Sequence, residues 1–540
     1  MDKSFCFFFQ KEALSCPVWV SLTAGRHNPT MAIPKQQREA AAFLARIAGG
    51  PPIETHISAV FVGADTAWKL KKAVHLPFLD FTSLAARRHF AERELTLNQP
   101  VAPEIYRDVV AITRNAAGAL GFVPASQARD PVDWVLRMAP IPPDDVLAAI
   151  ADRHALTPHL LDQLGDCVAL DHARRPPSPS PGSAKTIGTL VDDCAVAARE
   201  AGLSASVIAQ WRGRIATLLA RHMPTLEQRA ARGYVRRCHG DLHLGNLCLW
   251  HGVPVAFDAL EFDEALATVD VGYDLAFLLM DLDQRAGRAA ANRVFNRYIA
   301  RTGDTGIAGV MPLFMSLRAM VRAFTQTQCD LAAGQRYLTA SCLYLAEAPV
   351  LLIAIGGLPG TGKSTLARAL AARIESPPGA VILRSDEIRK RRFGVAPEQR
   401  LPEAAYARSS DCANSAMLIA QAHEIVRGGH TVIADATFLD TADRDAMAVI
   451  GRAAHVPFVG IWLDAPMELL ENRLHTRRGD ASDADGQVLR RAKNRQNDDI
   501  SWTVVDATDA DAALMRVQAI LAALATPRHL PGGTGATQGA

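Results

Sequence analysis

Two stretches of this chain carry residue types and spacings suited to moving a phosphoryl group. The first reads Gly357-Leu358-Pro359-Gly360-Thr361-Gly362-Lys363-Ser364-Thr365 and fits G-x-x-x-x-G-K-[ST]. Gly357, Gly360 and Gly362 let backbone N–H groups, with those of Thr361 to Thr365, wrap a run of phosphates. Lys363 brings a positive charge to the β and γ phosphates, and the Ser364 hydroxyl is placed to ligate Mg²⁺. The second reads Cys238-His239-Gly240-Asp241-Leu242-His243-Leu244-Gly245-Asn246, followed by Phe257-Asp258-Ala259-Leu260-Glu261-Phe262. Phosphoryl transfer needs a carboxylate beside the acceptor hydroxyl and oxygen ligands for Mg²⁺. Asp241 suits the first task, and Asn246 and Asp258 the second, with His239 holding the loop through backbone hydrogen bonds. Two other readings compete: a merely structural polar loop, and a zinc cluster of Cys238, His239, His243 and Cys248. Gly240, Gly245 and the strand that follows argue against a helix presenting the two histidines together.

Each motif needs elements that aim it. Residues 350–356 form an unbroken apolar run, expected for a strand covered on both faces. A helix should follow the glycine loop through residue 374 and add its positive dipole end to the phosphate site. Further buried strands are expected at 380–384, 431–434 and 458–463. Ligands collect at the carboxyl ends of such strands. Asp386 therefore stands where a base for an acceptor hydroxyl is needed, and Asp435 where a carboxylate meets Mg²⁺ or its water. The rival reading for both is helix capping. Arg473, Arg477, Arg478, Arg490, Arg491 and Arg495 flank a polar loop at 480–485, as in a lid closing on phosphate, or else form solvated helix faces. Around the central motif, strands are expected at 57–62, 67–71, 106–113, 134–138, 247–250 and 253–257, with helices at 34–47, 83–98, 145–154, 191–201, 206–222 and 289–301.

Residues 350–526 resemble the P-loop small-molecule kinase group, which includes gluconate kinase, zeta toxin and polynucleotide kinase. The central motif resembles that of aminoglycoside phosphotransferase and choline-kinase-like enzymes, within the protein-kinase-like fold. That resemblance implies that Lys69 is the phosphate-contacting strand lysine, with Lys71 a close competitor, and that Glu94 is its helix partner. It also implies an adenine-side hinge at 138–142 and structural roles for Asp270 and Asp274. One feature departs from it: no G-x-G-x-x-G loop precedes Lys69, and only Gly63-Ala64-Asp65-Thr66 is available there. The order of the two halves resembles bacterial proteins with an aminoglycoside phosphotransferase-like domain followed by an ATP-binding P-loop domain.

The bulk properties agree with a multidomain α+β and α/β chain. Its 540 residues exceed what one core organises; hydrophobic residues make up 49% and charged residues 21%, and the net charge is +2. That balance gives no electrostatic case for nucleic acid or an acidic membrane. Nine cysteines without a C-x-x-C pair fit a reducing, cytoplasmic setting, and the longest apolar runs are too short to span a bilayer. The expected organisation is an unstructured or mis-assigned extension at 1–30, a kinase-like small lobe at 31–143, a helical large lobe at 144–347, a P-loop domain at 348–526 and a disordered tail at 527–540. The Pro- and Ser-rich stretch 174–183 is expected to be a surface loop. The expected function is an ATP- and Mg²⁺-dependent phosphotransferase with two nucleotide-binding modules and small hydroxylated acceptors. The alternatives are one active P-loop kinase regulated by the other module, and a switch ATPase acting on a protein.

Overall fold

A computed structural model describes residues 32–76, 79–178, 184–327, 329–476, 481–496 and 500–525. The expectations for the first thirty residues, for the second half of the Pro- and Ser-rich loop, for Arg477 and Arg478 and for the tail lie outside these residues. The chain divides into two compact units, Met1–Ala346 and Glu347–Ala540.

The first unit opens with helix α1 (Arg38–Ala48) and strands β1 (Ile53–Glu54), β2 (Ser58–Val62) and β3 (Ala67–Lys71). A small hairpin of β4 (His75–Leu76) and β5 (Leu79–Asp80) leads into α2 (Leu84–Asn98), then β6 (Tyr106–Arg114), β7 (Leu120–Pro124) and β8 (Asp133–Met138). Six strands form one sheet in the order β1-β2-β3-β8-β6-β7, with antiparallel neighbours throughout. Strand periodicity assigns the faces of β3. Leu70 points into the cluster under α1, beside Phe43, Leu44, Phe61 and Val135. Ala67 packs on the opposite side with Ala91, Tyr106 and Leu136. Lys69 and Lys71 share that second face and so look towards α2. Ser83 starts α2 by accepting the Ala86 N–H. Arg87, Ala91, Glu94 and Asn98 are the buried residues of this helix, and their spacing lines one stripe that faces the sheet. Arg87 ends on Asp133 at 2.8 Å.

The rest of this unit is mainly helical: α3 (Leu147–Asp152), α4 (Pro158–Arg174), α5 (Ala184–Glu200) and α6 (Ala205–Ala231) precede the short strand β9 (Val235–Arg237). The helix expected at 206–222 continues through Pro224 to Ala231. Next come the hairpin β10 (Leu247–Trp250) and β11 (Val253–Ala256), α7 (Glu264–Ala267), β12 (Thr268–Asp270), α8 (Val271–Arg285), α9 (Arg288–Thr302), α10 (Ile307–Thr327) and α11 (Leu331–Tyr344). At 21 residues α10 is long and apolar enough to cross a membrane, yet 94% of its apolar window is buried inside the unit. It is the core helix here, which the short apolar runs of the sequence did not reveal. The hairpin ladder pairs Leu247 with Ala256 and Trp250 with Val253. Its two turn residues, His251 (φ 51°) and Gly252 (φ 78°), both take positive φ, as a two-residue hairpin requires.

The second unit alternates strand and helix: β13 (Leu352–Gly357), α12 (Lys363–Ala371), β14 (Val381–Arg384), α13 (Ser385–Arg392), α14 (Arg408–Arg427), β15 (Val432–Asp435), α15 (Thr441–Ala453), β16 (Phe458–Asp464), α16 (Met467–Thr476), α17 (Gly486–Arg495), β17 (Thr503–Asp506) and α18 (Ala510–Ala525). The sheet is parallel, in the order β14-β15-β13-β16-β17. Central β13 is buried at every residue. That explains its unbroken apolar run and places the glycine loop at the carboxyl edge between β15 and β16.

Candidate active sites

In the first unit the Cys238–Asn246 loop is bolted down from several sides. Asp274, wholly buried on α8, accepts the Gly240 N–H at 2.8 Å, the His239 N–H at 3.3 Å and His172 Nε2 at 3.2 Å. Asp281 accepts the Leu244 N–H at 3.0 Å. His239 Nε2 lies 2.9 Å from the Phe257 carbonyl, and its Nδ1 accepts the Asp241 N–H at 3.3 Å. These bonds suit a neutral ring with its proton on Nε2, and burial indeed lowers the His239 pKa. Asp270 is held by Arg229, which also clasps Asp304 in the buried interior.

The loop thus presents Asp241, 3% exposed, to Asn246, whose Nδ2 donates to Asp241 Oδ2 at 2.9 Å. Asn246 adjoins the hairpin, where its carbonyl accepts the Phe257 N–H at 3.0 Å, so Asp258 stands beside it. Asp258 adopts φ 60°, a backbone conformation that costs a non-glycine residue of order 1–3 kcal/mol. It is secured by its N–H on the Tyr106 hydroxyl, 2.9 Å away, and by its Oδ1 on Lys69 Nζ, 2.7 Å away. Lys69 also meets Glu94 Oε1 at 2.6 Å. Burial works against the Lys69 charge, but Asp258 and Glu94 outweigh it and hold its pKa well above the usual lysine range. Lys69, Glu94, Asp258, Asn246 and Asp241 therefore form one connected group. The Asn246 amide nitrogen is committed to Asp241, so an amide oxygen and the Asp258 carboxylate are the oxygen donors these two residues offer. That oxygen pair fits a hard ion such as Mg²⁺.

The zinc cluster does not assemble. The His239 ring is engaged as above, and the His243 ring packs on Phe277 with its Nδ1 accepting the Gly245 N–H. Cys238 lies instead with His172 and Asp274. Lys69 and Lys71 differ in their partners: both touch Glu94, and Lys69 also reaches Asp258. Lys71 pairs with Glu261, a residue to which the sequence alone gives no role. Its signal was there: a carboxylate three residues after Asp258, at an otherwise apolar place.

In the second unit Lys363 Nζ crosses the phosphate loop to the carbonyls of Gly357 and Leu358, 2.9 Å from each. Its charge therefore sits at the loop's centre. A side chain at Gly357 (φ 135°) would place a carbon 2.4 Å from the Leu463 carbonyl, whereas one at Gly362 (φ 89°) would enter open space. Phosphate oxygens fit that space, so the loop suits the nucleotide its pattern implies. Ser364 Oγ donates to Asp435 Oδ2 at 2.6 Å, making a hydroxyl–carboxylate pair of hard oxygen donors suited to Mg²⁺. Asp435 is the last residue of β15, and Asp440 caps the next helix, so the capping reading of Asp435 falls away. Asp386 lies within the first turn of α13, one position past its start, and is not the N-cap either.

Lys363, Ser364, Thr365, Asp386, Asp435 and Arg389 line one cavity of about 930 Å³. Burial raises the Asp386 pKa, Arg384 opposes that, and Asp435 adds to it. The arginines divide. Arg473 donates to the carbonyls of Ala507 and Thr508, at 2.9 and 2.8 Å, and so braces the loop after β17. Arg490 pairs with Glu471 on the surface, while Arg473, Arg491 and Arg495 line the cavity.

A family model described as AAA domain matches residues 352–498. Uncharacterized proteins of Mycobacterium tuberculosis strain H37Rv and of Mycobacterium bovis are each 27% identical over 463 residues, covering 82% of this chain and 90% of theirs. Among solved structures, a gluconokinase from Sinorhizobium meliloti 1021 is 19% identical and covers 34% of this chain and 100% of its own, with a TM-score of 0.23. Plasmodium vivax ethanolamine kinase is 11% identical over 54% of this chain and 81% of its own, with a TM-score of 0.33. By its own architecture the first unit joins a six-stranded antiparallel sheet to a mainly helical portion. The second is a P-loop domain of the kind that the AAA model describes.

Proposed function

We propose that this chain is an ATP- and Mg²⁺-dependent phosphotransferase with two nucleotide-binding units, each passing the γ-phosphoryl group to an alcohol hydroxyl of a small molecule. The observation that carries the reading is the convergence of Lys363, the Ser364–Asp435 pair and Asp386 on one cavity. Bound ATP with its Mg²⁺ supplies the transferable group. The chain's part is to position and to stabilise charge. Backbone N–H groups of the 357–365 loop and the Lys363 ammonium hold phosphate oxygens, and Ser364 with Asp435 orients the metal side. Asp386 takes the acceptor's proton as the hydroxyl attacks, which its raised pKa favours. In the first unit Asp241 has the same task, Asn246 and Asp258 face the metal, and Lys69, steadied by Glu94, meets the phosphates. That assignment gives the first unit a small lobe at 31–143 and a large lobe at 144–347.

One observation favours a second reading, in which the first unit senses nucleotide or substrate and the second alone is active. The turn between β2 and β3, closed by Gly63 N–H on the Thr66 carbonyl at 2.9 Å, stands where a glycine-rich loop would cover the phosphates. Asp241→Ala and Lys363→Ala variants, assayed separately for ATP hydrolysis and for phosphorylation of a metabolite pool by mass spectrometry, decide between them. Two active units lose different products in the two variants. If Asp241→Ala leaves every product intact, the first unit is not a catalyst; if Lys363→Ala leaves ATP-binding stoichiometry unchanged, the phosphate-loop assignment is wrong.

A further inference from the structure

The first unit buries more charge than its proposed chemistry uses. Behind the Lys69–Glu94 pair lies a second ion pair that reaches neither the loop of Asp241 nor solvent. Lys71 Nζ contacts Glu94 Oε2 at 2.8 Å and Glu261 Oε1 at 2.7 Å, and the three side chains are 2%, 0% and 1% exposed. Glu94 is thereby shared, one oxygen on each lysine. Lys71 also lies 5.3 Å from the centre of the Phe81 ring, which closes off its remaining side.

These contacts join three separate pieces of chain: β3, α2 and the segment 258–261. Two further bonds run between the last two. Asn98 on α2 accepts the Ala259 N–H at 2.9 Å, and Arg93 donates to the Glu261 carbonyl at 3.0 Å. The carboxylate that steadies Lys69 and the carboxylate that faces the metal therefore stand on pieces tied together through Lys71 and Glu261.

We infer that Lys71 and Glu261 are positioning residues for the nucleotide site of the first unit, an inference that rests on the proposed binding of nucleotide there. Their mechanism is competition for Glu94. With Glu261 in place, the charge of Lys71 is met from two sides and Glu94 keeps Oε1 on Lys69. Without the Glu261 charge, Glu94 is the carboxylate still in contact with Lys71, Asp258 being engaged by Lys69, and desolvated charges attract strongly. Glu94 is drawn off Lys69, and both Lys69 and Asp258 lose their setting. Partners at this remove from a metal-facing residue such as Asp258 typically change metal affinity or activity by roughly 10–100-fold, and Mg²⁺-nucleotide binding is taken on that scale.

The direction separates positioning from simple charge. Removing a negative charge near a polyphosphate should tighten binding by Coulomb's law; loss of positioning should weaken it. The test uses the full chain carrying Lys363→Ala, which silences the phosphate loop of the second unit, titrated with a fluorescent ATP analogue and Mg²⁺. Glu261→Gln is expected to weaken binding roughly 10–100-fold. Adding Lys71→Met to it should recover most of the loss, because Glu94 is then free to return to Lys69. Unchanged or tighter binding in Glu261→Gln overturns the inference, and so does a double variant as weak as the single one. Lys69→Ala in the same background is the control for the underlying reading. If neither that variant nor its parent distinguishes nucleotide from buffer, the first unit binds no nucleotide and both ideas fall. Should thermal melting show Glu261→Gln unfolded, Glu261→Asp, one methylene short of Lys71, takes its place with the same expected loss and the same overturning result.

Discussion

Asp274→Asn tests how the central loop is held. The wild-type carboxylate accepts three hydrogen bonds, from Gly240 N–H, His239 N–H and His172. An asparagine oxygen keeps the bond to Gly240 in weaker, neutral form. Its NH₂ group faces His172, which can switch tautomer to accept, and the His239 N–H, which cannot. One backbone donor is left buried without an acceptor, at about 1–3 kcal/mol, and weakening of the two surviving bonds adds about 1–2 kcal/mol. The expected loss is about 2–5 kcal/mol, a large share of the roughly 5–15 kcal/mol that holds a domain together. Equilibrium urea denaturation measures it, with hydrogen exchange read on peptides covering 239–246. Burial alone would raise the Asp274 pKa, but the hydrogen bond from His172 and the nearby Arg318 guanidinium lower it well below the usual carboxylate range. A group depressed on folding stabilises fully above its unfolded pKa, about 3.9, and loses that contribution as pH falls towards the folded value. The difference between wild type and variant should therefore be constant above about pH 5 and shrink on acidification. A loss under about 1 kcal/mol with unaltered exchange at 239–246 would refute the anchoring role.

Two other outcomes concern the second unit. Asp386→Asn should cut its phosphoryl transfer by about 10²–10⁴-fold, as loss of a general base does, while ATP binding by calorimetry stays intact. Burial raises the wild-type carboxyl, so the rising limb of its pH–rate profile should lie above the ordinary Asp pKa of about 3.9 and vanish in the variant. Asp435→Asn should raise the Mg²⁺ concentration needed for half-maximal activity by about tenfold or more, with ATP affinity in the absence of metal changed far less. An unchanged Mg²⁺ requirement would remove Asp435 from the metal side.

Much of this was legible in the sequence wherever the signal is local. The strands expected at 67–71 and 247–250 agree with β3 and β10 to the residue, because alternation and flanking turn residues mark them. The two motifs are contiguous, so spacing alone brings their members together. The misses share a physical cause. Edge strand β7 buries none of its residues fully and contains Gly121 and Pro124, so it shows no clean alternation. Strand β17, also at an edge, buries one residue of four. Pro224 reads as a helix stop, yet packing along α6 overrides it, with Leu219 and Leu226 buried on either side. Lys69 could not be separated from Lys71 by sequence because period two sets both on one face. The difference lies in partners 189 and 190 residues away. Arg473 likewise has partners that no local pattern shows, the carbonyls after β17, although it lines the cavity as its place beside the polar loop suggests.

The hairpin between Asn246 and Asp258 leaves a practical opening. Its base must keep register, since a one-residue slip in β10 or β11 would turn the two side chains to opposite faces. Its tip is held by turn geometry and by His251 Nε2, 2.9 Å from Glu104 Oε2, instead of by register. His251 and Gly252 are exposed, and the ladder ends at Trp250 and Val253. A short peptide tag or a fluorophore-bearing residue written into that tip would ride four residue pairs from the site without entering it. The molecule thus offers a built-in place for a reporter, next to the residues whose occupancy most needs watching.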